Sequence, residues 1–417
     1  MTKTGAQLFS RHVRAEALAA PSSGIVEVFQ LGRSRQGLIP LYVGEGDVPT
    51  PPFIADAIAR SLARGETFYS PQAGLADLRV AIAGYMSRHC GKIFERRFGP
   101  FGPERFFITT GGMHALQLGV RLVAGLGDEV VVPMPAWPNF AGVLATAGAR
   151  VCGVPLHFAA APGGAHHWSL DLDRLRETIS PATRALVINS PANPTGWTAS
   201  HTELEAILAI AREFGLWIIA DEIYGRIRFS GEPAASFHDV MERDDRIIFV
   251  QTFSKNWAMT GLRLGWLEVP PELGETVENL IQYSTAGVAM PLQRAGLAAL
   301  EQGDEFFAAQ LVKMRKSRDL LCSGLAQTGR VRFAVPEATF YLFCTINGME
   351  DTRHLALRLI EEANVGVAPG SAFGPGGEGF VRISFARSPD EIAEAVRRLN
   401  SWLAASACSD RPQSADR

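Results

Sequence analysis

Lys255 stands in Thr252-Phe253-Ser254-Lys255, and Gly261-Leu262-Arg263-Leu264-Gly265 follows shortly after. An amine is thus grouped with two hydroxyls and a fixed cation. The chain has five lysines, and no other falls between Lys92 and Lys313, so this one belongs to no solvated basic run. A surface lysine keeps a pKa near ~10.4 and does no chemistry. The flanks here are apolar and aromatic (Phe253, Trp257, Met259, Leu262), which predicts a desolvated ammonium and a lowered pKa. Such an amine suits Schiff-base formation beside a bound phosphate. From this segment alone, a buried lysine in a structural ion pair is the alternative.

Five further segments bear on the choice. Thr109-Thr110-Gly111-Gly112-Met113-His114 follows a strand-like run and opens a helical one. Paired glycines let backbone approach an anion, and first-turn amides donate to it, although Gly-Gly also marks ordinary tight turns. In Pro135-Ala136-Trp137-Pro138 the tryptophan has a constrained backbone and can lie flat on a heteroaromatic ring or pack an interface. Asn189-Ser190-Pro191-Ala192-Asn193-Pro194-Thr195-Gly196 fixes an amide able to donate to a phenolate and a carboxylate. Asp221-Glu222-Ile223-Tyr224 ends the apolar run Leu216 to Ala220. A carboxylate there is costly unless a cation such as a protonated pyridine meets it, or unless it caps a helix. Tyr224 is placed to donate to a ring oxygen. Arg382, inside the apolar run Phe380 to Phe385, is a fork for a substrate carboxylate or half of an internal salt bridge. Phosphate, ring and amine together are the requirements of pyridoxal 5′-phosphate.

The elements that carry these residues alternate in type. Strand-like runs are Phe106 to Thr109, Glu129 to Pro133, Arg150 to Val154, Ala185 to Asn189, Leu216 to Ala220, Ile247 to Gln251 and Leu264 to Val269. Helical patterns lie at Met113 to Leu122, Phe140 to Thr146, Leu172 to Thr178 and Thr202 to Phe214. Short apolar strands between helices predict an α/β fold with a mostly parallel, seven-stranded sheet covered on both faces. Ligands in such sheets sit at the carboxyl ends of the strands, where the motifs fall. Residues 1–50 read as loop-rich and go with a small domain, residues 51–290 as a large cofactor-binding domain. Residues 291–405 read as a smaller α+β domain with helices at Pro291 to Glu301, Glu305 to Ala326 and Asp390 to Leu403. Its strands are Phe340 to Ile346 and Phe380 to Phe385. The polar segment 406–417 is expected to be disordered.

Bulk properties exclude several classes. A net charge of −3 gives no electrostatic reason to bind nucleic acid or an anionic membrane, and no apolar run approaches a membrane span. The N-terminus lacks the apolar core of a secretory signal. Five scattered cysteines (Cys90, Cys152, Cys322, Cys344, Cys408) have neither metal-ligand spacing nor an even count. A reduced, cytoplasmic enzyme without a metal is expected.

Taken in order, the motifs resemble those of the class I and II aminotransferases, pyridoxal-phosphate enzymes of fold type I. Gly44-Glu45-Gly46-Asp47 with Pro51 is similar to that family's N-terminal substrate loop, and Tyr69 with Gly74 and Leu78-Arg79 to its intersubunit segment. The Gly-Gly loop, Pro-x-aromatic-Pro, Asn-Pro-Thr-Gly, Asp-Glu-x-Tyr, Ser-Lys, Gly-x-Arg-x-Gly and the arginine strand follow. The resemblance covers roughly residues 40 to 390. It implies that Lys255 carries the cofactor as a Schiff base and is the general base, while Asp221 keeps the pyridinium protonated. Asn193 and Tyr224 would bond the ring oxygen, with Trp137 stacked on the ring. Gly111, Gly112, Met113, Thr252, Ser254 and Arg263 would hold the phosphate, with Tyr69 given by the partner of a homodimer. Gly44, Trp137, Asn193 and Arg382 would fix the α-carboxylate of an L-amino acid. Amino transfer to a 2-oxo acid would be ping-pong.

Four positions depart from the family pattern. Thr252 replaces a commoner serine, no proline follows Glu45, Ala338 stands where many relatives have glycine, and Met113 where some dicarboxylate users place lysine. A thioether cannot pair with a side-chain carboxylate, which leans the preference toward neutral or apolar substrates. C–S lyases and other non-transaminating enzymes share the scaffold. A ligand-sensing regulator would need more chain before Gly44 than roughly 40 residues.

Overall fold

Strands buried on both faces need apolar residues at every position, which is why these runs do not alternate. The computed structural model describes residues 12–22, 24–161 and 163–409. Its large sheet is built from β1 (Phe106–Thr109), β2 (Glu129–Met134), β3 (Arg150–Ala160), β4 (His166–Leu170), β5 (Thr183–Asn189), β6 (Trp217–Asp221), β7 (Ile247–Thr252) and β8 (Gly265–Glu268). Their order is β1-β8-β7-β6-β5-β2-β3-β4. The seven expected strands are all present. An eighth, β4, pairs antiparallel with the outer half of β3, from Leu156 to Ala160. Its sequence, His166-His167-Trp168-Ser169-Leu170, buries only Trp168 and Leu170, so it lacks the continuous apolar signal of its neighbours.

Pairs β2–β3, β2–β5, β5–β6 and β6–β7 are parallel, whereas β8 runs antiparallel between β1 and β7. Thr109, Met134, Asn189, Asp221 and Thr252 therefore end their strands on one edge, where Gly265 begins β8. Successive side chains point to opposite faces. Val130, Val132, Val187, Ile219 and Ile248 enter one apolar cluster, and Val131, Leu186, Ile188, Ile218 and Phe249 the other.

Helices Gly111–Val123, Pro138–Ala147 and His201–Phe214 follow β1, β2 and β5. The last is fixed at its start by a capping box between Ser200 and Glu203 and at its end by Gly215 at φ 67°. Helix Gly111–Val123 starts two residues before the apolar periodicity does, which places Gly112 and Met113 in its first turn.

Beyond the long helix Asp304–Ala326 lies a second, antiparallel sheet. Its strands β9 (Val331–Phe333), β10 (Tyr341–Ile346), β11 (Ala368–Pro369) and β12 (Phe380–Ser384) are ordered β9-β10-β12-β11. The closing helix Pro389–Ser409 packs along Asp304–Ala326 and passes Ser406, where a disordered tail was expected to begin; residues 410–417 lie outside the described residues. The segment before residue 50, read as loop-rich, is more ordered than that. It holds the helix Gly24–Arg33, whose apolar residues recur at helical spacing (Ile25, Val28, Phe29), and Ile39–Pro40 pairs in parallel with Val365–Gly366. No helix among the described residues is long and apolar enough to cross a membrane.

Candidate active site

A cleft of about 340 Å³ opens at the strand ends and extends to β10 and β12 of the small sheet. Met113, Trp137, Asn193, Asp221, Tyr224, Thr252, Ser254, Lys255, Arg263 and Arg382 all line it, together with Gly44 and Gly112. Gly111 lies just beneath. Its φ of +77° suits glycine, and an added Cβ would fall 2.5 Å from Nη2 of Arg263. Gly265 is equally constrained, since a Cβ there would meet the Gln251 carbonyl at 2.6 Å. These two glycines let the first turn of helix Gly111–Val123 close onto β7 and the arginine. Tyr69 is not in the cleft of its own chain and is 91% exposed.

Lys255 donates from Nζ to the Gly44 carbonyl at 2.7 Å and lies near the Phe340 ring. It has no carboxylate partner among the described residues, contrary to a structural ion pair. Burial lowers its pKa to about 8, helped by the Arg382 charge and opposed by Glu45. Around it, Thr252 and Ser254 hold their hydroxyls 2.9 Å apart, and Arg263, in a left-handed conformation, donates to the Thr260 carbonyl at 2.7 Å. With the free amides of Gly112 and Met113, these groups form a concave donor set that suits a phosphate.

Asp221 is 1% exposed at the tip of β6. No helix begins there, so it is not a cap; its nearest donor is the Ile223 amide at a long 3.4 Å. Burial raises its pKa to about 7, against the Ile223 hydrogen bond and the Lys255 charge. A buried carboxylate aimed into a cleft without a paired cation fits a protonated ring nitrogen. Arg382, 3% exposed, donates to Asn193 Oδ1 at 2.9 Å and to the Tyr42 carbonyl at 2.7 Å, between the rings of Tyr341 and Phe373. Its buried Nε has no partner among the described residues, and no carboxylate pairs with it, which removes the salt-bridge alternative. Trp137 meets Phe140 edge-on at 5.5 Å, leaving a face toward the cleft. The residues present fit pyridoxal 5′-phosphate: a donor set for the phosphate, a carboxylate for the ring nitrogen, a flat indole and a low-pKa amine.

Several participants were not singled out from the sequence. Asn189 donates to the Asp221 carbonyl at 3.0 Å and accepts from the Asn193 amide at 2.8 Å, bracing both. Tyr341 lines the cleft with its hydroxyl 3.0 Å from that of Tyr224. A tyrosine inside an apolar strand needs a polar partner, which is the signal that marks it. Ile25, Val26 and Phe29 of helix Gly24–Arg33 form an apolar wall, and Asn139 donates to the Met113 sulfur at 3.1 Å.

The Asp221 environment has a measurable consequence. Its folded pKa lies well above the usual carboxylate value of about 3.9, so stability without cofactor is lost as pH rises from about 4 through about 7. Asp221→Asn should therefore raise the thermal midpoint of the cofactor-free protein at pH 8, by roughly 1–3 kcal/mol of stability, but not at pH 4. It should also weaken cofactor retention. A variant less stable than wild type at pH 8 would contradict this account of the carboxylate.

The sequence profile of the family "Aminotransferase class I and II" matches residues 36–399. An aspartate aminotransferase of Pyrococcus horikoshii is 32% identical over 394 residues, covering 94% of this chain and 97% of the relative. An aromatic-amino-acid aminotransferase of Thermococcus litoralis is 31% identical over 384 residues, covering 91% and 95%. Among solved structures, the N-succinyldiaminopimelate aminotransferase of Mycobacterium tuberculosis superposes with a TM-score of 0.84 at 31% identity, covering 93% of this chain and 99% of that one.

Proposed function

Because the chain belongs to the class I and II aminotransferases, enzymes that use pyridoxal 5′-phosphate, we propose that it takes its amino group from neutral or apolar L-amino acids. It passes the group to a 2-oxo acid in two alternating half-reactions. The observation that carries this is the convergence of Lys255, Asp221 and Arg382 on one cleft whose outer wall is Ile25, Val26 and Phe29. Apart from the three cations with assigned tasks, no basic side chain lines that cleft among the described residues.

When bound, the cofactor supplies a sink for the electrons released as the substrate Cα–H bond breaks. The remaining work falls to side chains. Thr252, Ser254, Arg263 and the Gly112 and Met113 amides would hold the phosphate. Asp221 would hold the ring nitrogen, Asn193 and Tyr224 the ring oxygen, and Trp137 the ring face. Arg382 and Asn193, with the Gly44 backbone, would clamp the α-carboxylate. That clamp leaves the Cα hydrogen to the Lys255 amine, which removes it as a general base and returns a proton.

Mixing cofactor-loaded enzyme with single amino acids and following the visible spectrum tests the substrate class. Leucine or phenylalanine should react faster than aspartate, and the amino group should appear on 2-oxoglutarate. Release of pyruvate and ammonia from cysteine-like substrates would replace amino transfer with elimination. Met113→Lys should raise the aspartate-to-leucine ratio of kcat/KM by about 10- to 100-fold, the worth of one charge-assisted hydrogen bond. An unchanged ratio would place the side-chain subsite elsewhere.

A homodimer completes the proposal. Tyr69, Phe68 (81%) and Tyr283 (87%) are strongly exposed. Their segments are joined by Gln72 to Gln282 and by Ser70 to the Val288 carbonyl. One apolar region of this kind suits a second copy, to whose phosphate Tyr69 would reach. A fully active monomer in sedimentation would remove it. Unpaired thiols at Cys90, Cys152, Cys322 and Cys344 support a reducing, cytoplasmic setting.

A further inference from the structure

Glu222 sits between Asp221 and Ile223, which line the cleft, but its own carboxylate is bound elsewhere. Its Oε2 accepts from the Ser236 hydroxyl at 2.6 Å and its Oε1 from the Phe237 amide at 3.0 Å. The same hydroxyl stands 2.9 Å from His238 Nδ1 and accepts from the His238 amide at 3.1 Å. At the far side of the ring, Nε2 lies 3.1 and 3.0 Å from the two oxygens of Glu268. Glu268 also accepts from Arg105 Nε at 3.0 Å. All five side chains are buried. Phe249 stacks on the imidazole at 3.8 Å and Phe101 meets it edge-on at 5.2 Å, so apolar rings flank it.

Counting donors and acceptors fixes how many protons this chain holds. Against the effect of burial, the charges of His238 and Arg105 lower the Glu268 pKa, so Glu268 is an acceptor and Nε2 carries a hydrogen. The Ser236 oxygen, already accepting the His238 amide, can accept one more hydrogen while donating its own. Its other neighbours, Glu222 Oε2 and His238 Nδ1, must then be one donor and one acceptor. Either His238 is a cation and Glu222 an anion, or His238 is neutral and Glu222 protonated. Arg105 and Glu268 cancel, so both placements leave the buried cluster neutral. Burial raises the Glu222 pKa to about 7, opposed by the His238 charge, which brings its protonated form within reach of neutral pH. Asp239 also acts on Glu222, as does Cys90, kept a thiol by burial, and Glu222 acts on Asp221. Of these neighbours, Asp221 is the one whose charge a bound cofactor would set.

We propose that Glu222, Ser236 and His238 are positioning residues for Asp221, forming an internal relay that moves one proton from His238 to Glu222 when Asp221 becomes charged. The inference rests on the reading of Asp221 as the partner of the ring nitrogen. Two adjacent buried carboxylates repel, and protonating the second lets the first keep its charge. The transfer balances: Nδ1 gives its proton to the Ser236 oxygen, and the hydroxyl's own proton passes to Glu222 Oε2. No electrons move, and the cluster takes nothing from solvent.

Nitrogen-15 labelling of the nine histidines reads the ring directly, with His238 assigned by its missing signals in His238→Gln. Cofactor-free protein at pH 8, where Asp221 is ionised, should show an unprotonated Nδ1 at His238. Asp221→Asn at the same pH should show both ring nitrogens protonated. Identical His238 signals in the two proteins overturn the proposal. Glu222→Gln, whose amide can only donate toward Ser236, should keep the neutral ring with either residue at 221; a ring that still changes state is equally adverse. Ser236→Ala, which cuts the relay, should weaken binding of pyridoxal 5′-phosphate at pH 8 by about three- to tenfold, the worth of one hydrogen bond. Ser236→Thr, which keeps the hydroxyl, should restore it, and unchanged binding in Ser236→Ala removes the positioning role. Failure of the underlying reading looks different. The cofactor-free comparison would still hold, but loading the wild-type chain with cofactor at pH 6 would leave His238 a cation instead of converting it to the neutral ring.

Discussion

Replacing Lys255 with alanine should give a folded protein that develops no visible absorbance band with pyridoxal 5′-phosphate and loses amino transfer by at least about 10⁴-fold. A positioned general base alone contributes about 10²–10⁴, and in the proposed function this amine would also capture the cofactor. Its environment explains why one lysine suffices. Burial and the Arg382 charge bring the pKa to about 8, so a usable fraction is neutral near physiological pH. Capture of the cofactor by the wild-type chain should accelerate as pH rises through about 8 and then level off, whereas an ordinary lysine would still be accelerating near pH 10. Borohydride reduction and peptide mapping provide the decisive check. If residue 255 emerges unmodified from cofactor-saturated protein, the assignment is wrong.

Arg382→Ala should leave the cofactor spectrum intact while lowering kcat/KM for every amino acid donor by about 10³-fold. The guanidinium is buried between Tyr341 and Phe373, with Nε unsatisfied and the other nitrogens tied to Asn193 and Tyr42. Two hydrogen bonds to a carboxylate are worth roughly 1.5–3 kcal/mol each, and truncation forfeits both. Arg382→Lys should recover little, because an ammonium cannot reproduce the planar fork. The loss should be in the reaction with amino acid, not in cofactor binding, and spectral titration separates the two. A lysine variant with near wild-type kcat/KM would refute carboxylate recognition by this side chain.

Much of this site was legible in the chain because its chemistry demands unusual residues in apolar surroundings. Asp221 at the end of Leu216 to Ala220, Arg382 within Phe380 to Phe385 and Lys255 among aromatics each violate the burial rule that governs their neighbours, and all three line the cleft. The sheet was legible for the complementary reason, since strands buried on both faces cannot hide their composition. What escaped notice follows ordinary rules. Strand His166–Leu170 is half exposed and too mixed to stand out. Helix Gly24–Arg33 has helical spacing but lies in a stretch that reads as loop-rich. Asn189 and Tyr341 work by bracing other side chains, and such contacts arise only when distant segments meet. Tyr69 is legible as a motif, yet in its own chain it stands 91% exposed and away from the cleft.

Asn189, Asn193 and Arg382 form an unbroken run of hydrogen bonds from the Asp221 backbone to the Tyr42 carbonyl. The seat proposed for the pyridine and the grip proposed for the substrate's acid group are therefore one mechanical linkage, so that adjusting either end should disturb the other. Helix Gly24–Arg33 contributes Ile25, Val26 and Phe29 from outside that linkage. A catalyst arranged in this way separates the invariant part of its task from the variable part. Grafting a different leading helix should redirect which metabolite is accepted while the engine behind it keeps running unchanged.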